Sequence, residues 1–599
     1  MEPILDPRAG DLEDDASSTK SQSMLALAGA LLSEISLPRL AMSWASLMAV
    51  PALLLGAAPI AASVWLSTLT ARSAYVLVSL GSAGLIAALA VIGWFGWRPL
   101  FRAAESSFWS LHSLLVQPIY AGFRETLRHL AEFALMKDAS IVSRSRLRAA
   151  TALVSGVIVS ALAGVVIWLL WPFTHMLGGF PPSNSIAGLT ITILANSVAL
   201  VAAYLAVAAI VWAIADATMP QPSDLPGFAP RPASGKTWRV AHLSDIHIVG
   251  EPYGFRIESG RSGPQGNGQW KRTLETLSAL HAENPIDIVL ITGDMTDAGR
   301  SAEWAEFQST LSAYREIAER ALILPGNHDV NIVDRANPAR LDLPHSPNRR
   351  LRLIRAISAM AALQGERLRI VEGGAIGETL AQALTPYVKE MRRFASTGRP
   401  LFSPTVTDLW NRIFPMVLSP GAESGLGVML LNSNAASHFS FTNALGLVSA
   451  EQAKRAETVL QSYPGAVWII ALHHHLVEYP RAAKALSERI GTALINGNWF
   501  VRKLRRHADR LVVMHGHRHI DWIGACANLT IVSAPSPVME AVDGKATYFY
   551  VHTLAIADDR RLRLLAPERV TAPSRGEPAW AHSSRLAVAE GVTAGPGAG

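Results

Sequence analysis

Apolar positions fall into two regimes along this chain: long uncharged runs before residue 216, and short runs of three to six after residue 237. Four of the long runs lack Asp, Glu, Lys and Arg: Ala41 to Leu69, Ser73 to Trp97, Ala150 to Trp171 and Ser185 to Ala215. Each reaches the roughly 20 apolar residues that a bilayer-crossing helix needs, which predicts four transmembrane helices. Pro51 and Pro59 lie inside the first, a position tolerated where neighbouring helices satisfy the freed backbone. Trp97, Trp168 and Trp171 sit near span ends, as interfacial aromatics do.

The short runs have the pattern of buried strands: Val240 to Leu243, Ile288 to Ile291, Leu322 to Leu324, Val428 to Leu431, Val467 to Leu472 and Leu511 to Met514. Helical periodicity separates several of them, as in Glu303 to Arg320 and Ser449 to Gln461, so the second regime predicts an α/β domain. Between the regimes, Pro220, Pro222, Pro226, Pro230 and Pro232 exclude both a helix and a central strand and predict a semi-extended linker. The predicted organisation is a disordered N-terminal segment (1–38), a membrane region (39–216) with a basic loop (98–148), and a linker (217–236). An α/β domain (237–571) with an insertion at about 331–427 follows, and a disordered tail (572–599) ends the chain. The stretch Arg349 to Arg369 inside that insertion reads as a basic helix.

Charge orients the membrane region. Arg98, Arg102, Arg124, Arg128, Lys137, Arg144, Arg146 and Arg148 fall in the central connection, while Pro172 to Asn184 holds no basic residue. The positive-inside rule then makes the central loop cytoplasmic, and with it both ends of a multi-pass, four-span protein and its α/β domain. One cysteine, Cys526, rules out an intrachain disulfide and agrees with a reducing compartment. The net charge of +6 is explained by residues flanking the spans, so no specific nucleic-acid binding is expected. No ionisable Asp, Glu, Lys or Arg lies within a span, which argues for an anchor rather than a transporter.

Five clusters follow the predicted strands: Asp245-Ile246-His247, Gly293-Asp294, Gly326-Asn327-His328-Asp329, His473-His474-His475 and Gly516-His517-Arg518-His519. Residues two apart at a strand end share a face, so Asp245 and His247 can grip one cation. Asp294, in a turn opened by Gly293, can bridge two cations; Asn327 adds a neutral oxygen, and His473, His517 and His519 add imidazoles. Oxygen and nitrogen donors without thiolate suit Mn, Fe, Zn or Co. Two such ions about 3.5 to 4 Å apart activate a bridging hydroxide for attack on phosphorus. His328, beside Asn327, is then left to protonate the leaving oxygen or stabilise its charge. A lone histidine is by default a core or surface residue, and only the ordered series reverses that default here. His475 and His515 are candidates for orienting a ligand ring, with a structural role the stronger expectation, and Asp297 and Asp329 are candidates for orienting His328 or a ligand or for capping neighbouring helices. Asn432 and Asn434 either approach the site from a strand end or form a turn. Arg349, Arg350, Arg352, Arg355, Arg502, Lys503, Arg505 and Arg506 are candidates for a face on anionic lipid or for a solvated helix face.

The ordered series resembles the calcineurin-like metallophosphoesterases, over roughly residues 238 to 555. The resemblance implies a four-layer αββα sandwich with a two-metal centre. By position it makes Asp245, His247 and His519 ligands of the first metal and Asn327, His473 and His517 ligands of the second. Asp294 then bridges, and His328 is the catalytic histidine. His473-His474-His475-Leu476 departs from the His-His-Pro common in one branch, so His473 is the expected ligand and His474 the reserve. Gly293 to Asp297, Glu303 to Phe307, and Leu447-Val448-Ser449 with Gln452 also resemble the class III phosphodiesterases, which include cyclic-nucleotide and glycerophosphodiester hydrolases. The combined expectation is a membrane-anchored, dinuclear phosphoesterase acting on a phosphodiester or phosphomonoester, with a lipid-linked phosphoester or a cyclic nucleotide as the substrate. The alternative is a catalytically inactive metal-binding signalling or interaction protein in the membrane.

Overall fold

The computed structural model describes residues 49–76, 112–135, 141–177, 185–230, 235–250, 263–333, 347–397, 405–422, 424–435, 443–480, 494–539, 546–556, 559–573 and 583–585. The chain divides into two compact units, one spanning Ala28–Met219 with Ala485–Ile490, the other comprising Met1–Leu27, Pro220–Lys484 and Gly491–Gly599. The expected N-terminal disordered segment, most of the second span and most of the C-terminal tail lie outside the described residues.

In the first unit, four helices account for most of the described residues: α1 (Val50–Val76), α2 (Gly122–Leu135), α3 (Ile141–Leu170) and α4 (Ile186–Ala217). Among the described residues, two stretches are helices long and apolar enough to cross a bilayer, Ser145–Phe173 and Ile186–Ala217. They coincide with the third and fourth predicted spans. α1 passes through the first span with Pro59 inside it, and its Val50–Val64 portion is a shorter apolar helix. Among the described residues two candidates thus stand where four spans were expected. Chain chemistry sets the ends of α4, since Ser185 Oγ accepts the Gly188 amide at 3.1 Å as an N-cap. At the other end Asp216 accepts from Tyr120 Oη at 3.0 Å and is paired with Arg124. Asn196 is fully buried among these helices with its hydrogen bonds satisfied. Asn196 Oδ1 accepts from His175 N at 2.8 Å, and its Nδ2 donates to Gly56 O at 3.1 Å and His175 O at 3.0 Å. Large apolar side chains such as Val157, Trp168, Leu169, Val207 and Val211 stay exposed on α3 and α4. A surface of that kind marks contact with something other than water.

The second unit has an α/β metallophosphoesterase-like fold with two mixed sheets. β2 (Thr237–Leu243), β3 (Ile288–Ile291) and β4 (Ala321–Ile323) pair in parallel, and β13 (Thr547–Ile556) runs antiparallel to β2. In the other sheet β8 (Leu426–Leu430), β9 (Val467–Ala471), β10 (Leu511–His515) and β12 (Leu529–Ser533) are parallel neighbours. All six predicted strands are strands, because each is a run buried on both faces and has the apolar continuity that parallel strands require. One hydrophobic core includes residues of both sheets, among them Val240, Leu290, Val428, Ile469 and Val512. Part of the proline-rich stretch is pinned as an edge strand. β1 (Ser223–Asp224) pairs with β11 (Trp522–Cys526), and Trp522 Nε1 donates to Asp224 Oδ1 at 2.8 Å.

The interval after Asp329 is woven into the core rather than set apart from it. α9 (Pro347–Gln364) buries Leu351, Ile354, Ile357 and Met360, and β5 (Arg369–Glu372), β6 (Ala375–Thr379) and β7 (Met416–Leu418) extend the sheet beyond β8. Arg352 and Arg355, candidates for a lipid-facing surface, are 2% and 4% exposed and so cannot face lipid. The apolar neighbours Leu351, Leu353 and Ile354 bring this helix face inward.

Two buried histidines on neighbouring strands give the fold an acid-sensitive point. His552 of β13 is held down to about 3 by burial, and burial together with His552 holds His242 of β2 well below its ordinary value. A depressed histidine contributes stability above the unfolded value of about 6.5 and loses it as pH falls towards 3, because only the unfolded state then takes up the proton. His552 alone should therefore remove about 4 kcal/mol across that window. His552→Leu is expected to flatten the pH dependence of denaturant unfolding between pH 6.5 and 3. An unchanged slope would sink this assignment.

Candidate metal centre

Every cluster lies just beyond a strand, on loops that converge at one edge. Asp245 and His247 follow β2, Asp294 follows β3, Asn327 and His328 open the short helix α8 (Asn327–Val330) after β4, His473 follows β9 and His517 follows β10. The backbone there is unusual in one respect. Asp245, His247, Asp294, His517 and His519 have φ of 57°, 49°, 52°, 76° and 53°, the left-handed region that side chains other than Gly rarely adopt. Such conformations cost on the order of 1 kcal/mol or more each and persist where the surroundings over-determine them. The expectation that Asp245 and His247 share a face through strand alternation is therefore replaced. β2 ends at Leu243, and the two side chains converge because each residue turns its backbone.

Hydrogen bonds hold the turns. Asp245 N donates to Gly293 O at 3.0 Å, while Ile246 N and His247 N both donate to Asp294 O, at 2.8 and 3.0 Å. Gly293 has φ of 102°, and a Cβ there would strike the His473 ring; a Cβ at Gly326 would strike the Asp294 carboxylate. Both glycines are needed for the close approach of loop to loop.

Among the described residues the donor atoms form three groups. Asp245, His247 and His519 make one, Asp294, His473 and His517 another, and His247, Asp297 and His328 a third that shares His247 with the first, each group offering ligand atoms within 4.8 Å of one another. His519 Nε2 lies 3.5 Å from Asp245 Oδ1. His473 Nε2 lies 3.2 Å from Asp294 Oδ2, 3.1 Å from Asn327 Oδ1 and 3.1 Å from His517 Nδ1. Its other nitrogen, Nδ1, donates to Thr292 O at 2.7 Å, so Nε2 is the nitrogen that faces these neighbours. Asp294 Oδ2 also lies 3.7 Å from His247 Nε2, so one carboxylate oxygen stands between the first two groups. All seven sequence-predicted ligands meet here.

The electrostatics suit cations. Burial would lower the His473 imidazole, yet the Asp294 carboxylate beside it lifts it to about 9. Burial and the neighbouring histidines hold His517 well below its ordinary value, so this ring is neutral with a lone pair to give. Burial opposes ionisation of Asp245, but His519 pulls its carboxyl below the ordinary value. In the absence of a cation the His473 ring holds a proton at the nitrogen facing Asp294, a place that a cation can take, and the set of buried carboxylates, an amide oxygen and imidazoles fits two cations.

His474 is no part of either group. It is fully buried and its Nδ1 lies 2.9 Å from Ser433 Oγ, which also accepts the amides of His473 and His474 at 3.1 Å each. The structure thus brings His473, not the reserve His474, to the centre. His475 stacks against the His517 ring at 5.9 Å, and His515 stacks on Tyr479 at 6.2 Å.

His328 stands at the rim of the first group. Its ring meets that of His247 edge-on at 4.5 Å, its amide donates to Asp294 Oδ1 at 2.8 Å, and its Nδ1 lies 2.7 Å from Asp297 O. Asp297 also orients a ligand, with Oδ1 3.1 Å from His247 Nδ1. One residue thus fixes His247 through its side chain and His328 through its carbonyl. Asp297→Asn is expected to weaken binding of Mn²⁺ by about 10- to 100-fold, measured by calorimetric titration. Unchanged affinity would argue against the orienting role. Asp329 binds loop to loop instead, accepting from Thr296 N at 2.9 Å, Thr296 Oγ1 at 2.7 Å and Gly326 N at 2.9 Å. Sequence reading missed Ser433 and Ser536, whose hydroxyl donates to Asp245 O at 2.6 Å, because an isolated serine carries no spacing signal. Asn432 Oδ1 accepts the Asn434 amide at 3.1 Å, Asn434 bridges to Gly446, and its Nδ2 donates to Pro325 O at 3.0 Å.

Residues 239–521 match the model of the calcineurin-like phosphoesterases. The phosphoesterase match takes in all the clusters and supports a phosphoric ester hydrolase. A probable cyclic nucleotide phosphodiesterase of Coxiella burnetii is 26% identical over 105 residues, covering 17% of this chain and 36% of that protein. The chain therefore spans about a third of the length of that curated relative. Among solved structures, a dimetal phosphatase from Danio rerio has a TM-score of 0.32 at 13% identity, covering 56% of this chain and 95% of that one. The purple acid phosphatase PPD1 of yellow lupin has a TM-score of 0.26 at 13% identity, covering 57% of this chain and 53% of its own.

Proposed function

We propose that this protein is a membrane-anchored phosphoesterase that uses two cations to hydrolyse a phosphodiester or phosphomonoester. In this reading the catalytic unit is a four-layer αββα sandwich facing the cytoplasm. Asp245, His247 and His519 hold the first cation, Asn327, His473 and His517 the second, and Asp294 bridges. The observation that carries it is the position of Asp294 Oδ2, at 3.7 Å from His247 Nε2 and 3.2 Å from His473 Nε2. When bound, the two cations supply positive charge to the phosphoryl oxygens and lower the pKa of a nucleophilic water. His328 delivers a proton to the departing oxygen through Nε2, its Nδ1 being fixed on Asp297 O. Mn, Fe, Zn and Co all suit the donor set. The apolar helices Ser145–Phe173 and Ile186–Ala217 support the bilayer anchor, together with the two further spans read from the sequence. The Coxiella relative's name favours a cyclic-nucleotide diester, and the anchor favours a lipid-linked phosphoester.

The test uses the full chain in detergent micelles with Mn²⁺, assayed on bis(p-nitrophenyl) phosphate and on p-nitrophenyl phosphate. Cleavage of the diester in excess over the monoester is expected. If neither ester is cleaved while Mn²⁺ binds, the inactive signalling or interaction protein replaces this reading. Carbonate washing of membranes should leave the chain in the pellet, and its release would end the anchor.

A further inference from the structure

The two ligand-bearing loops after β3 and β4 are stitched together on one side by Asp329. On another side they meet two arginines that the site chemistry does not use. Arg352 Nε donates to Val330 O at 3.2 Å, and Arg355 Nη1 donates to Gly299 O at 3.2 Å. Both arginines lie on α9, three residues apart and so on one helix face, and both are buried. Val330 closes the loop that carries Asn327 and His328, while Gly299 closes the loop that carries Asp294 and Asp297. Gly299 itself has φ of 67°, and a Cβ there would strike Asp329 O and press on Arg352 Cδ at 3.0 Å. The chain passes so close to the guanidinium stem that only glycine fits.

We infer that Arg352 and Arg355 are positioning residues that brace the Asp294–Asp297 and Asn327–His328 loops against each other, setting the separation of their donor atoms. Burying a guanidinium is costly unless it is hydrogen-bonded, and here each one donates to the backbone of a ligand loop. The planar fork gives the direction that a flexible ammonium does not. The helix that supplies them is anchored separately, by Leu351, Ile354 and Ile357 in the core. A rigid core element therefore presents the two braces, which is what holding donor atoms to a fraction of an ångström requires.

The experiment compares Arg352→Met, Arg355→Met, Arg355→Lys and the core control Ile357→Ala, all in the full chain. Hydrogen exchange of the amides in 294–299 and 327–330 is read at equal margin below each variant's own unfolding midpoint. Both methionine variants should raise exchange in these segments by about tenfold or more over the control, and Arg355→Lys should recover part of the loss. Exchange no faster than in Ile357→Ala overturns the brace, since that result would make the arginines ordinary core supports. A second readout rests on the two-cation reading: Mn²⁺ affinity should fall about 10- to 100-fold in the methionine variants and not in the control. If the unsubstituted chain binds no Mn²⁺, the two-cation reading fails, and the exchange data alone still decide the brace.

Discussion

Asp294→Asn is expected to cut kcat/KM by at least about 10³-fold, equivalent to about 4 kcal/mol of lost transition-state stabilisation, and to lower the Mn²⁺ stoichiometry from two towards one. The reasoning is geometric. Oδ2 is the atom lying between His247 Nε2 and His473 Nε2, and Oδ1 is already committed to the His328 amide at 2.8 Å. Asn keeps the shape and the acceptor but gives up the charge, and its amide nitrogen would present hydrogens where a cation is expected. The same substitution removes the carboxylate that lifts His473 to about 9, so the His473 imidazole should fall back as its burial dictates. Calorimetry with Mn²⁺ and turnover of bis(p-nitrophenyl) phosphate measure the two effects separately. Full turnover in Asp294→Asn would refute the bridging role outright.

The strands, and the convergence of the polar clusters at their ends, were legible in the sequence. Val467–Ala471 and Leu511–His515 are buried on both faces, so they appear as uninterrupted apolar runs, and a polar cluster at the end of each marks where the run leaves the core. β11 and β13 were not read, because the burial of β11 alternates and the apolar run of β13 is interrupted by His552 and Thr553, and such strands look like ordinary mixed sequence. α9 was read as a helix but not as a core element. Its Arg349, Arg350, Arg352 and Arg355 suggested a solvent or lipid face, although Leu351, Leu353, Ile354 and Ile357 interleave with them. The identity of the buried face depends on carbonyls at Gly299 and Val330, which no helix pattern contains.

Backbone conformation was the least legible layer. An Asp or His with positive φ leaves no mark on composition, yet five of the seven proposed ligands adopt it. Strand alternation correctly grouped Asp245 with His247 but for the wrong reason. The ligand turns are fixed by long-range amide bonds, such as His517 N to Asp245 Oδ2 at 2.9 Å and Ile246 N to Asp294 O at 2.8 Å. Folding energy from the large core offsets the cost of these turns, which is how a site can keep its donors convergent before any cation arrives.

His328→Ala provides the complementary result, a loss of turnover without loss of metal. In the proposed mechanism His328 contributes proton transfer and nothing to cation binding, so kcat should fall by about 10²- to 10⁴-fold. Mn²⁺ stoichiometry should remain two. Its hydrogen bonds support that separation. The residue's amide, not its ring, contacts Asp294, and that amide survives replacement by alanine. The ring is held by Asp297 O at 2.7 Å and lies edge-on to His247 at 4.5 Å; it clusters with the His247 and Asp297 donors but belongs to neither of the groups built on Asp294 or Asp245, which makes the metal count the deciding measurement. A phosphodiester with a more acidic leaving group needs less protonation of the departing oxygen. The deficit of His328→Ala should therefore shrink as the leaving-group pKa falls, and a deficit independent of leaving group would point to charge stabilisation of the phosphoryl oxygens instead. Loss of one cation in this variant would overturn the assignment, since it would place the His328 ring among the ligands.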